Sequence, residues 1–199
     1  MLALRGSPWF DHLVVDPEYY DAWARRIAAG DWLGERAFYM DPLYPYVLGA
    51  LYRLCGRDLL LARLLNVALA AGTIALVARI GRRVGGARTG ILAAFALALY
   101  APDIFYVGEV DKTTLSIFLT AAALALTLGR AHFAAGATLG AAALTRANLL
   151  VTAPVLALAG RRRTALFVAG LACVLVPVAW RNHRVAGEWV LTTTQAGQN

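Results

Sequence analysis

The sequence predicts an all-α, polytopic membrane protein, and three observations carry that prediction. Apolar runs fill most of the chain between residues 59 and 180, the joints between them are short, and those joints are rich in arginine. Hydrophobic residues make up 60% of the chain and charged ones only 16%. The mean hydropathy of +0.60 lies above the usual soluble range. The net charge of +7 comes almost entirely from arginine, with Lys112 the single lysine. Between apolar runs, excess arginine reads as the signal that holds loops on the cytoplasmic side of a membrane. No nucleic-acid-binding module is recognisable, and no nucleic-acid partner is expected.

Taken in order, the first element is a helix over residues 17–29. Pro17 suits its first position and Gly30 its end. Tyr20, Trp23, Ala24 and Ile27 share one face at helical spacing, with Asp21, Arg25 and Arg26 elsewhere around the helix. Such an aromatic, amphipathic helix fits the plane of a membrane interface; ordinary packing against another helix would explain the same pattern. Residues 42–55 are apolar but short of the roughly 20 residues that a crossing needs. They carry Pro45 and read as a second juxtamembrane or re-entrant helix.

Six apolar segments follow, at about 59–80, 89–106, 112–129, 131–146, 148–160 and 163–180, and predict about six transmembrane helices. The joints at 79–88, 130–132 and 161–163 are basic. With all three on the cytoplasmic side the segments alternate cleanly. The N-terminal loop, the joints at 102–112 and 145–148, and the C-terminal stretch then share the outer face. Counting 42–55 as a full crossing would put the four arginines of 79–88 outside. Small residues, as in GATLGAAAL at 136–144, allow close helix approach in lipid. The expected organisation is an outer loop with juxtamembrane helices over 1–58, a helical bundle over 59–180, and the start of a second outer loop over 181–199. A multi-pass protein of the cytoplasmic membrane follows.

The opening MLALRGSPWF has no apolar core of a signal peptide, and the chain stops at TTTQAGQN inside a polar stretch. A piece of a longer protein is expected. Cys55 and Cys173 make no metal-spaced motif, and Cys173, inside an apolar run, reads as a buried free thiol.

The outer face collects Asp16, Glu18, Asp21, Asp41, Glu109, Asp111, Lys112, Arg146, Asn148, Arg181 and Asn182. Chemically the mixture makes sense. A carboxylate can take a proton from an attacking hydroxyl, and arginine or lysine can neutralise a phosphate leaving group. Asp16, just before Pro17, also suits a helix N-cap. Arg146, between two apolar segments, is either functional or snorkelling to the interface. Lys112 and Arg181 also suit interface anchors. Glu109 and Asp111 suit solvated loop acids as well as members of the site; they could also supply two ligands to a divalent-metal site, a weak pattern without a third fixed ligand. His12, His132 and His183 are scattered, which speaks against a zinc cluster. No P-loop, dinucleotide-binding glycine pattern or G-x-S-x-G elbow occurs, so no cofactor is specified.

Four stretches carry a family resemblance: DPEYYDAWARRIAAGDW (16–32), FYMDPLYPY (38–46), LTRAN (144–148) and RNHRVAGEWVL (181–191). In order and spacing they resemble the GT-C glycosyltransferases, in particular the bacterial branch of the dolichyl-phosphate-mannose protein mannosyltransferase group (family 39). The resemblance implies a polyprenyl-phosphate-sugar donor held in the membrane lipid, and a glycan, lipid or protein acceptor. It also implies Asp16 as the catalytic carboxylate of the first outer loop, acting as base or positioning the acceptor. Glu109 and Asp111 loosely match that family's acidic site in the second outer loop. Lys112, Arg146 and Arg181 are the candidate phosphate- and substrate-binding cations. Asp41 departs from the basic or small residue often found before the P-L pair. A transporter or flippase for a lipid-linked molecule is the alternative, although no inverted repeat is visible.

Overall fold

The computed structural model describes residues 12–159 and 163–195, whose regular elements are all helices, with no strand among them. The opening MLALRGSPWF, Arg161, Arg162 and the final AGQN fall outside those residues.

Helix α1 (Asp16–Ala28) buries Tyr20, Trp23, Ala24 and Ile27, the face read from the sequence. That face packs on α2 (Leu43–Cys55), with the Tyr20 and Tyr44 rings edge to face at 5.6 Å. Asp21 corrects the sequence reading. It is only 2% exposed, accepts a hydrogen bond from the Tyr52 hydroxyl at 2.7 Å and pairs with Arg57 at 2.9 Å and Arg25 at 3.1 Å. Asp21 is therefore an internal tie between α1 and α2, because a buried carboxylate persists only with such donors.

Helix α3 (Leu59–Ala98) starts where the Asp58 side chain accepts the Leu60 amide at 2.7 Å. Gly86, at φ 86° and ψ −178°, interrupts it, a conformation open to glycine and costly to other residues. The chain doubles back there into two antiparallel arms. A Cβ on Gly81 would lie 2.8 Å from the Gly90 Cα across the hairpin. The outgoing arm continues through α4 (Ala101–Gly108), which Pro102 opens. Then come α5 (Thr113–Leu128), α6 (His132–Ala143), a 3₁₀ turn (Ala147–Thr152), α7 (Ala153–Ala159) and α8 (Thr164–Ala186).

Two helices, α3 and α8, are long and apolar enough to cross a membrane, and only 22% of the apolar stretch of each is buried. The other apolar segments are shorter than the sequence suggests. At 12 residues α6 is about 18 Å long, and α7 is shorter still, against a hydrocarbon core of about 30 Å. Helix α6 is the buried centre of the bundle, between α5 and α8. Its Gly136 meets α8 backbone to backbone: a Cβ there would stand 1.9 Å from the Phe167 carbonyl oxygen. Reciprocally, a Cβ on Gly170 would stand 2.0 Å from the Phe133 carbonyl oxygen. Outward, Ile91, Leu92, Phe95, Val155, Leu158 and Val176 are all more than half exposed. Cys173, expected to be buried, is exposed on α8 for the same reason: the apolar run looks outward.

Charge separates the two ends of the bundle. Arg83 lies against Gly129, and Arg163 Nη1 donates to the Arg130 carbonyl at 3.5 Å, so the three basic joints meet at one end. The start of α5, about 24 Å away along its 16 residues, lies at the other end with Asp16 and Arg146. Cysteines introduced at Arg88 and Glu188, in a background lacking Cys55 and Cys173, should therefore label from opposite sides of a membrane. These positions avoid the positive φ of Gly86 and Gly187. Labelling of both from one side would overturn the arrangement.

Candidate active site

The segment that ends α4 and begins α5 is fixed from beneath. Arg63 and Asn66, one turn apart on α3 and both buried, donate to the Gly108 carbonyl at 2.8 Å and the Glu109 carbonyl at 2.6 Å. Asp111 then accepts the Thr113 amide at 2.7 Å and the Thr113 hydroxyl, a local turn that leads into α5. Arg146 reaches the same threonine from the turn after α6, its Nη2 donating to Thr113 Oγ1 at 2.9 Å. That turn is tied to the first loop by the Leu43 amide, which donates to the Leu144 carbonyl at 3.1 Å.

These segments enclose a cavity of ≈ 660 Å³. Asp16, Asp41, Glu109, Asp111, Lys112 and Arg146 all line it. Asn148, from the LTRAN tip, lines it as well. Phe105 and Tyr106 of α4 give it an exposed aromatic wall beside the charges.

The charges are not equivalent. Lys112 pairs with Asp41, so its charge is answered within the protein. Burial pushes the Asp41 carboxyl above the usual range, against the opposing pull of Lys112 and then Arg146. Arg146 makes no ion pair among the described residues and is the cation left for a ligand. Asp16 occupies the first position of α1, with Val15 before it at the N-cap, and its side chain makes no capping hydrogen bond among the described residues. The N-cap role open in the sequence is not the one the fold uses. Val15 itself has φ 58° and ψ −121°, a strained conformation for a β-branched residue at the mouth of a cavity. Beneath the charges the Tyr20 hydroxyl is buried without a hydrogen-bond partner among the described residues; burial, then Asp41 and Asp111, raise its pKa and keep it protonated.

Arg181 is not brought to this cavity. Its Nη1 donates to the Arg36 carbonyl at 2.8 Å and its guanidinium stacks over Phe38 at 3.9 Å, beside a second cavity of ≈ 610 Å³. Neighbouring Asn182, fully buried, accepts the Phe38 amide and donates to the Val190 carbonyl at 2.9 Å. It thereby pins the C-terminal stretch, whose Thr193 and Gln195 complete the first cavity. No group of three or more His, Cys, Asp or Glu side chains among the described residues is placed to hold a metal ion. Glu109 and Asp111, the pair that could supply two ligands, are joined by no third such ligand among the described residues.

Sequence reasoning missed Arg63, Asn66 and Thr113. For the first two a signal existed. A guanidinium and an amide one turn apart in an otherwise apolar run demand fixed partners. The fold and site thus define an all-helical chain with an acid-and-arginine cavity at the end of an apolar bundle. No family model matches this chain, and no curated protein or solved structure matches it at a significant level.

Proposed function

We propose that the protein is a multi-pass membrane glycosyltransferase of the GT-C type, moving a sugar from a polyprenyl-phosphate donor to an acceptor on the extracytoplasmic face. The observation that carries this reading is the meeting of Asp16 and Arg146 in one cavity from elements 130 residues apart, beside an exposed aromatic wall. The low burial of α3 and α8 supports residence in lipid. The six apolar segments thread the bundle, with the short α6 enclosed by its neighbours.

In the proposed reaction the acceptor hydroxyl attacks the anomeric carbon. Asp16 accepts the hydroxyl proton as the new carbon–oxygen bond forms. The bond from the anomeric carbon to the phosphate oxygen breaks, and the lipid phosphate leaves with the electron pair. Arg146 meets the charge that develops there. Phe105 and Tyr106 offer the isoprenoid chain an apolar surface at the cavity mouth. Asp41 holds Lys112 in place rather than acting as a base, since it is already engaged.

Arg146 variants test the donor half of this reading. A guanidinium fork suits phosphate oxygens better than an ammonium does. Arg146→Lys should weaken binding of the polyprenyl-phosphate sugar, and Arg146→Ala should cost about 2–4 kcal/mol of affinity. Unchanged affinity with lowered thermal stability would reduce Arg146 to an anchor for Thr113. Donor binding without any bond cleavage in the wild type would favour the transporter reading.

A further inference from the structure

The opposite end of the bundle carries a second charged feature that sugar transfer does not use. Residues 79–88, 130–132 and 161–163 hold eight arginines and no acidic residue. No Asp or Glu occurs between Asp58 and Asp103, or between Asp111 and Glu188. The fold draws part of this charge together. Arg83, from the α3 hairpin, places Nη1 3.7 Å from where a Cβ on Gly129 would stand. Arg163, at the start of α8, donates to the carbonyl of Arg130. Arg130 itself sits at φ 62°, an uncommon conformation for a residue with a side chain. All three arginines are exposed, and none forms an ion pair among the described residues.

The C-terminal carbonyls of α5 offset some of this like charge, but a helix end carries only about half an elementary charge against three guanidinium groups. The remainder calls for an anion. Its kind is indicated by the neighbours. Val84 follows Arg83, Phe133 lies three residues after Arg130, and Leu166 three residues after Arg163; these side chains are 73%, 49% and 51% exposed. A nucleic acid or an acidic protein surface would supply anions but no apolar phase for them. A phospholipid supplies both.

We propose that Arg83, Arg130 and Arg163 form a seat for the phosphate of an anionic phospholipid headgroup, with Val84, Phe133 and Leu166 against its acyl chains. The seat is independent of the sugar-transfer reading and rests only on residence in a membrane. A headgroup there ties the α3 hairpin, the end of α5 and the start of α8 together through guanidinium–phosphate bonds.

The test is retention of phosphatidylglycerol over phosphatidylcholine by the intact protein in mixed-lipid nanodiscs, read by native mass spectrometry. The wild type should prefer phosphatidylglycerol, and the preference should shrink as salt rises. Arg83→Gln with Arg163→Gln should cut it at least fivefold, since each arginine at a lipid surface contributes about that factor. The corresponding Lys pair should keep a substantial part of it. Arg36→Gln with Arg53→Gln, at the other end, should leave it unchanged. A wild type without preference, or a Gln pair that retains it at an unaltered melting temperature, would overturn the seat. Displacement of the lipid by millimolar inorganic phosphate would overturn it in favour of a free-phosphate site.

Discussion

Replacing Asp16 with Asn should cut sugar transfer by roughly 10²–10⁴-fold, the usual contribution of a positioned general base. Stability should change by less than about 1 kcal/mol. The Asp16 carboxyl accepts no hydrogen bond and makes no ion pair among the described residues, so a near-isosteric amide breaks no contact. What remains is the modest attraction between a first-turn carboxylate and the helix N-terminus. Donor affinity should also persist, because Arg146 lies on a different element and is untouched. Turnover of the donor by the purified variant, with its melting temperature measured alongside, checks the prediction. Wild-type turnover in the Asn variant would leave Asp16 as a first-turn acid of α1 and nothing more.

The largest effect on folding should come from the α6–α8 contact. Gly136→Ala and Gly170→Ala each push a methyl group into a carbonyl oxygen about 2 Å away, and neither backbone can yield without the other helix moving. Each should cost about 3 kcal/mol or more, at the upper end of overpacking effects. The double variant should cost less than the two together, since one separation of the helices relieves both clashes. Ala134→Val, on the exposed side of α6, should stay within about 0.5 kcal/mol of the wild type. Thermal unfolding in lipid distinguishes these outcomes. Equal melting temperatures for Gly136→Ala and Ala134→Val would contradict the close approach. The effect should reach the cavity too, because α6 ends at the turn that delivers Arg146 to Thr113.

Much of this organisation is legible in the sequence because it follows local periodicity and charge. The buried face of α1 is the Tyr20, Trp23, Ala24 and Ile27 set, read at helical spacing. Small residues at 136–144 signal the close approach that Gly136 makes. Putting the basic joints at one end was enough to bring Asp16, Glu109, Asp111, Lys112 and Arg146 to the other, where one cavity unites them. The features that stay hidden depend on partners far away in the chain. Asp21 groups with the outer-face charges of the candidate site until Tyr52 and Arg57, more than 30 residues on, are folded against it. Arg181 looks like a ligand-binding cation until the first loop returns to offer it the Arg36 carbonyl and the Phe38 ring. Helices α6 and α7 are shorter than the apolar segments at 131–146 and 148–160 suggest, for another reason. Apolar composition runs on through the 3₁₀ turn at Ala147–Thr152, and hydropathy does not register a change of backbone geometry.

The central claim is bond transfer at the Asp16–Arg146 cavity, and cleavage of the sugar–phosphate bond tests it most directly. Purified protein in lipid nanodiscs would be given a labelled polyprenyl-phosphate sugar, with a native membrane fraction as acceptor source. The released polyprenyl phosphate and the labelled acceptor would be quantified together. The account predicts equal amounts of both from the wild type and neither from Asp16→Asn at undiminished donor binding. Donor bound, or carried across a bilayer, with its sugar–phosphate bond intact in the wild type would contradict it.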